Sequence, residues 1–315
     1  MSQSSNLAIN QSSRPKVLVF GTICIDRIRR VPNLPEIGGY VEVQEELNFL
    51  GGEAANTANA LNVWGVEVAL LGNSLGSGPE GNLLRQLVAD CNLQVAADAG
   101  GQPTPVCDVY VTPDGNRTMF GKNFSIMEVG LPIPSIREFK AGWFTAEPNM
   151  AGLSRQVARE ALKAGMNTYL MDFIQDDEPV GPGSFLQCST DWAGHRGNIQ
   201  KNVAWVQDFV DRNQCFVILS DGPNGFVAGS PDLAVRAYPP YPAPKVIDTT
   251  GAGDMFRAGM LFGLSHDWPI HQCLQFASAA GCLKCRSLGA TTDVPSAAEI
   301  QAHISIHPAI SKQYH

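Results

Sequence analysis

Asp248-Thr249-Thr250-Gly251-Ala252-Gly253-Asp254 is the stretch of this 315-residue chain best equipped for chemistry. It follows a short apolar approach, Lys245-Val246-Ile247, that reads as strand-like. It runs into Met255-Phe256-Arg257-Ala258-Gly259-Met260-Leu261-Phe262, which reads as a helix. A Gly-Ala-Gly turn opening a helix brings backbone N–H groups together with the positive end of the helix dipole, and so forms an anion site. Glycines lack Cβ, which lets phosphate oxygens approach the backbone closely. Asp254 in such a nest has two readings. As a structural residue it caps the helix N-terminus. As a chemical one it takes the proton of a hydroxyl while the amides hold charge developing on a phosphoryl group.

Other motifs carry less. Gly76-Ser77-Gly78-Pro79-Glu80-Gly81 matches G-x-G-x-x-G, with Asp98 about where a ribose-binding acid would stand. Pro79 removes one of the amides a pyrophosphate needs, and the unit is not the first βαβ of the chain. A strand-to-helix turn accounts for it better. Cys282 and Cys285 form the only C-x-x-C, in a stretch that reads as a buried helix, and no second pair or nearby histidines complete a zinc site. They read as core thiols.

The elements around these residues alternate. Val17-Leu18-Val19-Phe20-Gly21 reads as a buried first strand, with Asp26 just beyond its end. Gly51-Gly52 opens a helix from Glu53 to Trp64, and Val66 to Leu71 is the next strand. Trp143 to Thr145, Asn167 to Asp172 and Cys215 to Leu219 read as strands, separated by helices at Ala151–Ala164 and Lys201–Arg212. The pattern predicts an α/β fold with a doubly wound, mainly parallel sheet flanked by helices. Two pieces stand outside it. Residues 31–49, with alternating Tyr40-Val41-Glu42-Val43, read as a strand pair, and Val106 to Phe120 reads as a hairpin around Pro113-Asp114-Gly115. Together they predict a small β-sheet lid from segments 30–49 and 105–122.

Composition narrows the function classes. A net charge of -8, with no dense Lys/Arg cluster, argues against a nucleic-acid partner. No apolar run approaches the length of a membrane span. Residues 1–14 are polar and read as a disordered tail rather than a signal sequence, leaving one domain over 15–315. Eight cysteines without such a signal point to reduced thiols and a cytoplasmic setting.

The spacing Asp-Thr-x-Gly-Ala-Gly-Asp resembles the signature of the ribokinase-like (PfkB) family of sugar and nucleoside kinases, and further blocks follow in the family's order from about residue 16 to 300. The resemblance implies Asp254 as catalytic base, with the amides of Gly251, Ala252 and Gly253 as anion hole. Gly21-Thr22-Ile23-Cys24-Ile25-Asp26 and Gly51-Gly52-Glu53-Ala54-Ala55-Asn56 are similar to the family's substrate blocks, implying that Asp26, Gly52 and Asn56 bind hydroxyls. Glu147, after the strand Trp143–Thr145, matches a family position that reaches the substrate; an ordinary strand-end carboxylate is the other reading. Ser220-Asp221-Gly222-Pro223-Asn224-Gly225 is similar to the nucleotide loop, implying Ser220, Gly222, Gly225 and Thr250 as nucleotide contacts. Ala277 to Gly289 resembles the segment flanking the adenine and, in many members, a monovalent cation such as K+.

The implied reaction is ATP-dependent phosphorylation, with Mg2+, of a hydroxyl on a small sugar. A nucleoside acceptor and a non-catalytic sugar or nucleotide sensor are the alternatives. Three departures are visible. The N-x-x-E pair that organises Mg2+ is missing from Phe185–Asp191, leaving Asp191 as a substitute. Cys24 stands where ribokinase has Asn, and Glu53 where it has Lys. An acid at 53 disfavours a phosphorylated sugar. Many relatives pair the lid between subunits, so a homodimer is compatible with the resemblance.

Overall fold

Val17, Leu18, Val19 and Phe20 are all buried, Val17 and Val19 in one apolar cluster and Leu18 and Phe20 in another. Successive side chains of a strand point to opposite faces, so such a run belongs at the centre of a sheet covered on both sides. The computed structural model, which describes residues 16–95, 101–114, 117–139 and 141–315, contains that sheet. The expected tail at 1–14 and Asp98 lie outside the described residues.

The strands are β1 (Lys16–Gly21), β2 (Cys24–Arg30), β3 (Glu45–Gly51), β4 (Glu67–Gly72), β5 (Val106–Val111), β6 (Arg117–Lys122), β7 (Trp143–Ala146), β8 (Asn167–Met171), β9 (Phe185–Ser189), β10 (Phe216–Ser220), β11 (Phe226–Ser230) and β12 (Leu233–Tyr238). The longer helices are α1 (Glu53–Val63), α2 (Gly78–Asp90), α3 (Ala151–Lys163), α4 (Ile199–Asn213), α5 (Ala252–Ser265), α6 (Ile270–Lys284) and α7 (Ala297–Ser305). The main sheet runs β12-β11-β10-β9-β8-β7-β1-β4. Neighbours from β4 through β10 are parallel, and β11 and β12 close one edge antiparallel. Helices α1, α5 and α6 cover the Val17/Val19 face, and α3 and α4 the opposite one. The strand order reverses beside β1, which lies between β4 and β7, and open sheets bind ligands at the C-terminal strand ends near such a point.

A separate four-stranded sheet, β3-β2-β5-β6, accounts for the two outlying pieces. The 105–122 hairpin is β5 and β6 as expected. The first pair is displaced: its strands are β2 and β3, and residues 31–44 between them contain no strand. Arg30 already pairs with Glu45, so the Tyr40–Val43 alternation has no partner, and Tyr40 is largely exposed. Asp26 therefore lies within β2 of the small sheet, across from Phe49 and Cys107.

Lys245–Ile247 is not a strand either. Val246 is exposed, and the backbone N–H groups of Ile247 and Asp248 are both satisfied by Cys285 O, at 2.7 and 3.2 Å. Strands β9, β11 and β12 were not expected; in β9 the polar Gln187 interrupts the apolar run that would have announced it. Gly78 and Gly81 both lie within α2, in keeping with a strand-to-helix turn.

Candidate active site

Helix α5 begins at Ala252, with Gly251 as its N-cap in the left-handed conformation (φ 79°). A Cβ at Gly251 would stand 2.6 Å from the Cβ of Ala290, so only glycine fits this turn. Asp248 shapes the loop leading into it. Its Oδ1 accepts from the backbone N–H and hydroxyl of Thr250, at 2.9 and 2.7 Å, and its Oδ2 from Gly289 N–H at 2.9 Å. Beneath the turn, Gln187 Nε2 donates to Gly253 O at 3.0 Å, and the buried Tyr169 hydroxyl donates to Gln187 Oε1 at 2.7 Å.

Asp254 sits in the first turn of α5, whose N-cap is Gly251, so it is not the helix cap. Its Oδ2 accepts from Asn56 Nδ2 at 2.8 Å, and its Oδ1 lies 3.5 Å from Arg257 Nη2, one turn further along. Burial pushes its pKa up to about 8; Arg257 opposes the rise, Glu53 adds to it, and the Asn56 bond opposes it. Arg257 is fully buried; its Nε donates to Thr57 Oγ1 at 2.8 Å and its Nη2 to Glu53 O at 2.5 Å. It therefore ties α1 to α5 and lies beside the Asp254 carboxylate.

The residues expected to meet the acceptor converge here in part. Gly52 caps α1 with φ 95°, and a Cβ there would stand 2.2 Å from Thr22 O. Asn56, one turn along, holds Asp254 with its amide and has a buried Oδ1 without a hydrogen-bond partner. Asp26 is buried, accepts from Cys24 Sγ at 3.5 Å, and packs close enough to Gly51 to exclude any side chain there. Burial raises its pKa to about 6, despite the bond from Cys24.

Glu147 is fully buried, and its Oε1 accepts Thr22 N–H at 2.5 Å, fixing the turn between β1 and β2. Its Oε2 has no partner, and burial and Glu53 raise its pKa. Asp172, at the end of β8, joins this group. Its pKa is raised to about 7 by burial and then by Glu53, with Arg257 opposing.

The residues expected to contact the nucleotide lie at the end of β10, apart from Thr250. Ser220 closes the strand, and Gly222 and Gly225 flank a short 3-10 turn, Gly222–Asn224. That turn is organised by Asp221, which is buried and accepts from Thr190 Oγ1 and Gly197 N–H, each at 2.8 Å. Thr250 stands apart from it on the α5 loop, where its hydroxyl also receives Arg117 Nη1 of β6 at 2.5 Å. Asp191 is exposed and ion-paired with Arg196. Ala277, Ala279 and Ala280 are sealed against α5, with a Cβ on Gly259 only 2.7 Å from Ala277 Cα, so the surface of that segment begins further along α6.

Arg257, Asp172, Asp221, Gln187 and Arg117 were not singled out from sequence. Arg257 alone left a signal, three residues after Asp254 and on the same helix face. The others act through contacts across the sheet that no local spacing records.

Comparison with known proteins follows this geometry. The profile of the pfkB family carbohydrate kinases matches residues 14–127 and 190–297. An uncharacterized sugar kinase of Dictyostelium discoideum is 28% identical, over 92% of this chain and 98% of its own length. Among solved structures, Arabidopsis thaliana ribokinase complexed with ribose and ATP superposes with a TM-score of 0.76 at 20% identity, covering 93% of this chain and 99% of that one. A Burkholderia thailandensis nucleoside kinase in complex with inosine does so with a TM-score of 0.72 at 20% identity, covering 92% and 98%. At these identities the structural likeness shows the fold.

Proposed function

Since the chain belongs to the pfkB family of carbohydrate kinases, we propose that it transfers the γ-phosphoryl group of ATP to a hydroxyl of a free sugar. One observation carries this reading. Asp254 is buried at the mouth of the Gly251–Gly253 nest, held by Asn56 and Arg257 rather than used as a helix cap. A buried carboxylate beside an anion hole is arranged to take a hydroxyl proton while the amides hold the charge on the phosphoryl group.

Asp26, Gly52 and Asn56 would bind acceptor hydroxyls, the unpartnered Asn56 Oδ1 being free to accept from one. Glu147 would act through the Thr22 turn, whose N–H its buried carboxylate accepts. Ser220, Gly222, Gly225 and Thr250 would contact the nucleotide. The acceptor is read as uncharged because Glu53, Glu147, Asp172 and Asp254 act on one another against a single fully buried arginine, Arg257. A phosphorylated or acidic sugar would meet repulsion there. A nucleoside is the second reading, because a nucleoside kinase in complex with inosine is built on the same fold.

Mg2+ would arrive on the ATP phosphates and neutralise them. Among the described residues no group of three or more His, Cys, Asp or Glu could hold a metal ion. Asp191, exposed and paired with Arg196, would therefore at most reach a metal through its water shell. The small sheet is read as a lid that excludes water from the transfer.

The test is ADP release over a panel of free sugars, sugar phosphates and nucleosides, with wild type and Asp254→Asn. Turnover with a free sugar is expected, falling by about a hundredfold or more in the variant. Near-full activity of Asp254→Asn would exclude it as the base, and turnover confined to phosphorylated sugars would overturn the charge argument.

A further inference from the structure

Lys284 is the last residue of α6, and its side chain is fully buried. Lysine is almost never found in that state unless its ammonium is paired, because taking the charge out of water is costly. Here Nζ donates to Ser287 Oγ at 2.9 Å and to Ser287 O at 3.3 Å. Burial pulls the ammonium's pKa down, and Asp248 is the first charge opposing that fall.

The surroundings give this ammonium a position of consequence. Cys285 O receives the N–H groups of Ile247 and Asp248, and Gly289 N–H donates to Asp248 Oδ2. Lys284 thus stands where the loop after α6 is stitched to the loop that enters the Gly251-Ala252-Gly253 nest. A carbonyl, a hydroxyl and a nearby carboxylate are the oxygen donors that also hold monovalent metal cations. The family resemblance places a monovalent cation beside this same segment, 277–289, but a protein ammonium already sits on its oxygens, so the residues do not fit a resident K+.

We infer that Lys284 supplies from within the chain the positive charge that a bound monovalent cation would supply at this loop crossing, so that the anion hole is held in shape without K+. The electrostatic reason is local. Asp248 is fixed two residues from Thr250 and close to the nest, where its charge opposes an incoming phosphate. A buried cation behind it offsets that charge without occupying the nest. A plain helix C-cap would use the same lysine, but its removal would create no response to a particular cation.

Thermal melts separate these cases. Wild type and Lys284→Ala are melted while tetramethylammonium chloride is replaced stepwise by KCl at constant ionic strength. Wild type is expected to show no saturable K+ response. Lys284→Ala is expected to have a lowered Tm that K+ raises saturably. If the variant folds only in KCl, that is the same response in a stronger form. A saturable K+ stabilisation of wild type overturns the inference, as does a folded Lys284→Ala indifferent to K+. If the variant folds in neither salt, Lys284→Met, which removes the ammonium but keeps an apolar side chain of similar length, is melted in its place under the same criteria.

A second arm rests on the kinase reading: kcat of wild type independent of K+, and kcat of Lys284→Ala reduced tenfold or more and partly restored by KCl. The melts need no acceptor, so failure to find a sugar substrate would count against the kinase reading alone.

Discussion

Asp254 and Arg257 are one helical turn apart on α5, and their relation fixes the pH at which the proposed base can work. Burial favours the protonated acid, whereas the guanidinium favours the carboxylate. The balance leaves the group protonated over much of the neutral range, so kcat/KM is expected to rise with pH through about 8. Arg257→Gln removes the opposing charge and should move that limb to higher pH. Each unit of displacement costs about tenfold in rate below the limb. Arg257→Lys should bring it back, and pH–rate profiles of the three proteins decide the matter; a limb that stays in place in Arg257→Gln would show that Arg257 only packs. Asp254 was readable from sequence because glycines and an acid in fixed order have few other uses. The partners that set its proton affinity were not, since Asn56 is 198 residues away in the chain.

At the scale of elements, the small sheet touches the main domain through a polar contact at the nest. Arg117 at the start of β6 donates to Thr250 Oγ1, and its guanidinium lies 3.7 Å from Asp248. Arg117 is partly exposed, and pairs of that kind contribute on the order of 1 kcal/mol or less. If the small sheet is the lid proposed above, Arg117→Ala should therefore loosen it by a few-fold, not abolish activity. The expected outcome is a several-fold rise in ADP release without acceptor relative to release with it, measured side by side. An unchanged ratio would mean that the contact does not hold the lid.

The elements were unevenly legible. The hairpin at 106–122 announced itself through Pro113-Asp114, whereas the Tyr40–Val43 alternation misled, because period-two patterning shows only what a segment could present to a partner. The partner, Arg30 to Glu45, closed the pairing just before it.

For the whole molecule, the buried carboxyls make the fold sensitive to pH. Asp26 and Asp172 are raised to about 6 and about 7, and Glu147 and Asp254 are raised as well. Ordinary carboxyls of an unfolded chain titrate near 4. Between these values the folded protein binds more protons than the unfolded one, so its stability falls as pH rises from about 4 towards 8. The Tm of the ligand-free protein should accordingly decrease between pH 5 and pH 8, and Asp172→Asn should flatten the slope. A Tm that climbs over that interval would contradict the raised values. The alternation of strands and helices made the parallel sheet legible apart from β9. The acid cluster was not, because it gathers residues from β7, β8, α1 and α5 that only the completed fold brings together.

Helix α5 is buried from Asp254 through Gly263; Gly259 lets the Ala277 backbone of α6 press against it, and Gly263 takes the Cys273 thiol. Its N-terminal amides are thus the open end of a rod clamped along its length. In the proposed anion hole, a donor set held in this way would have little freedom left to lose to a phosphate, so the entropy of arranging it would fall on folding and not on each catalytic cycle.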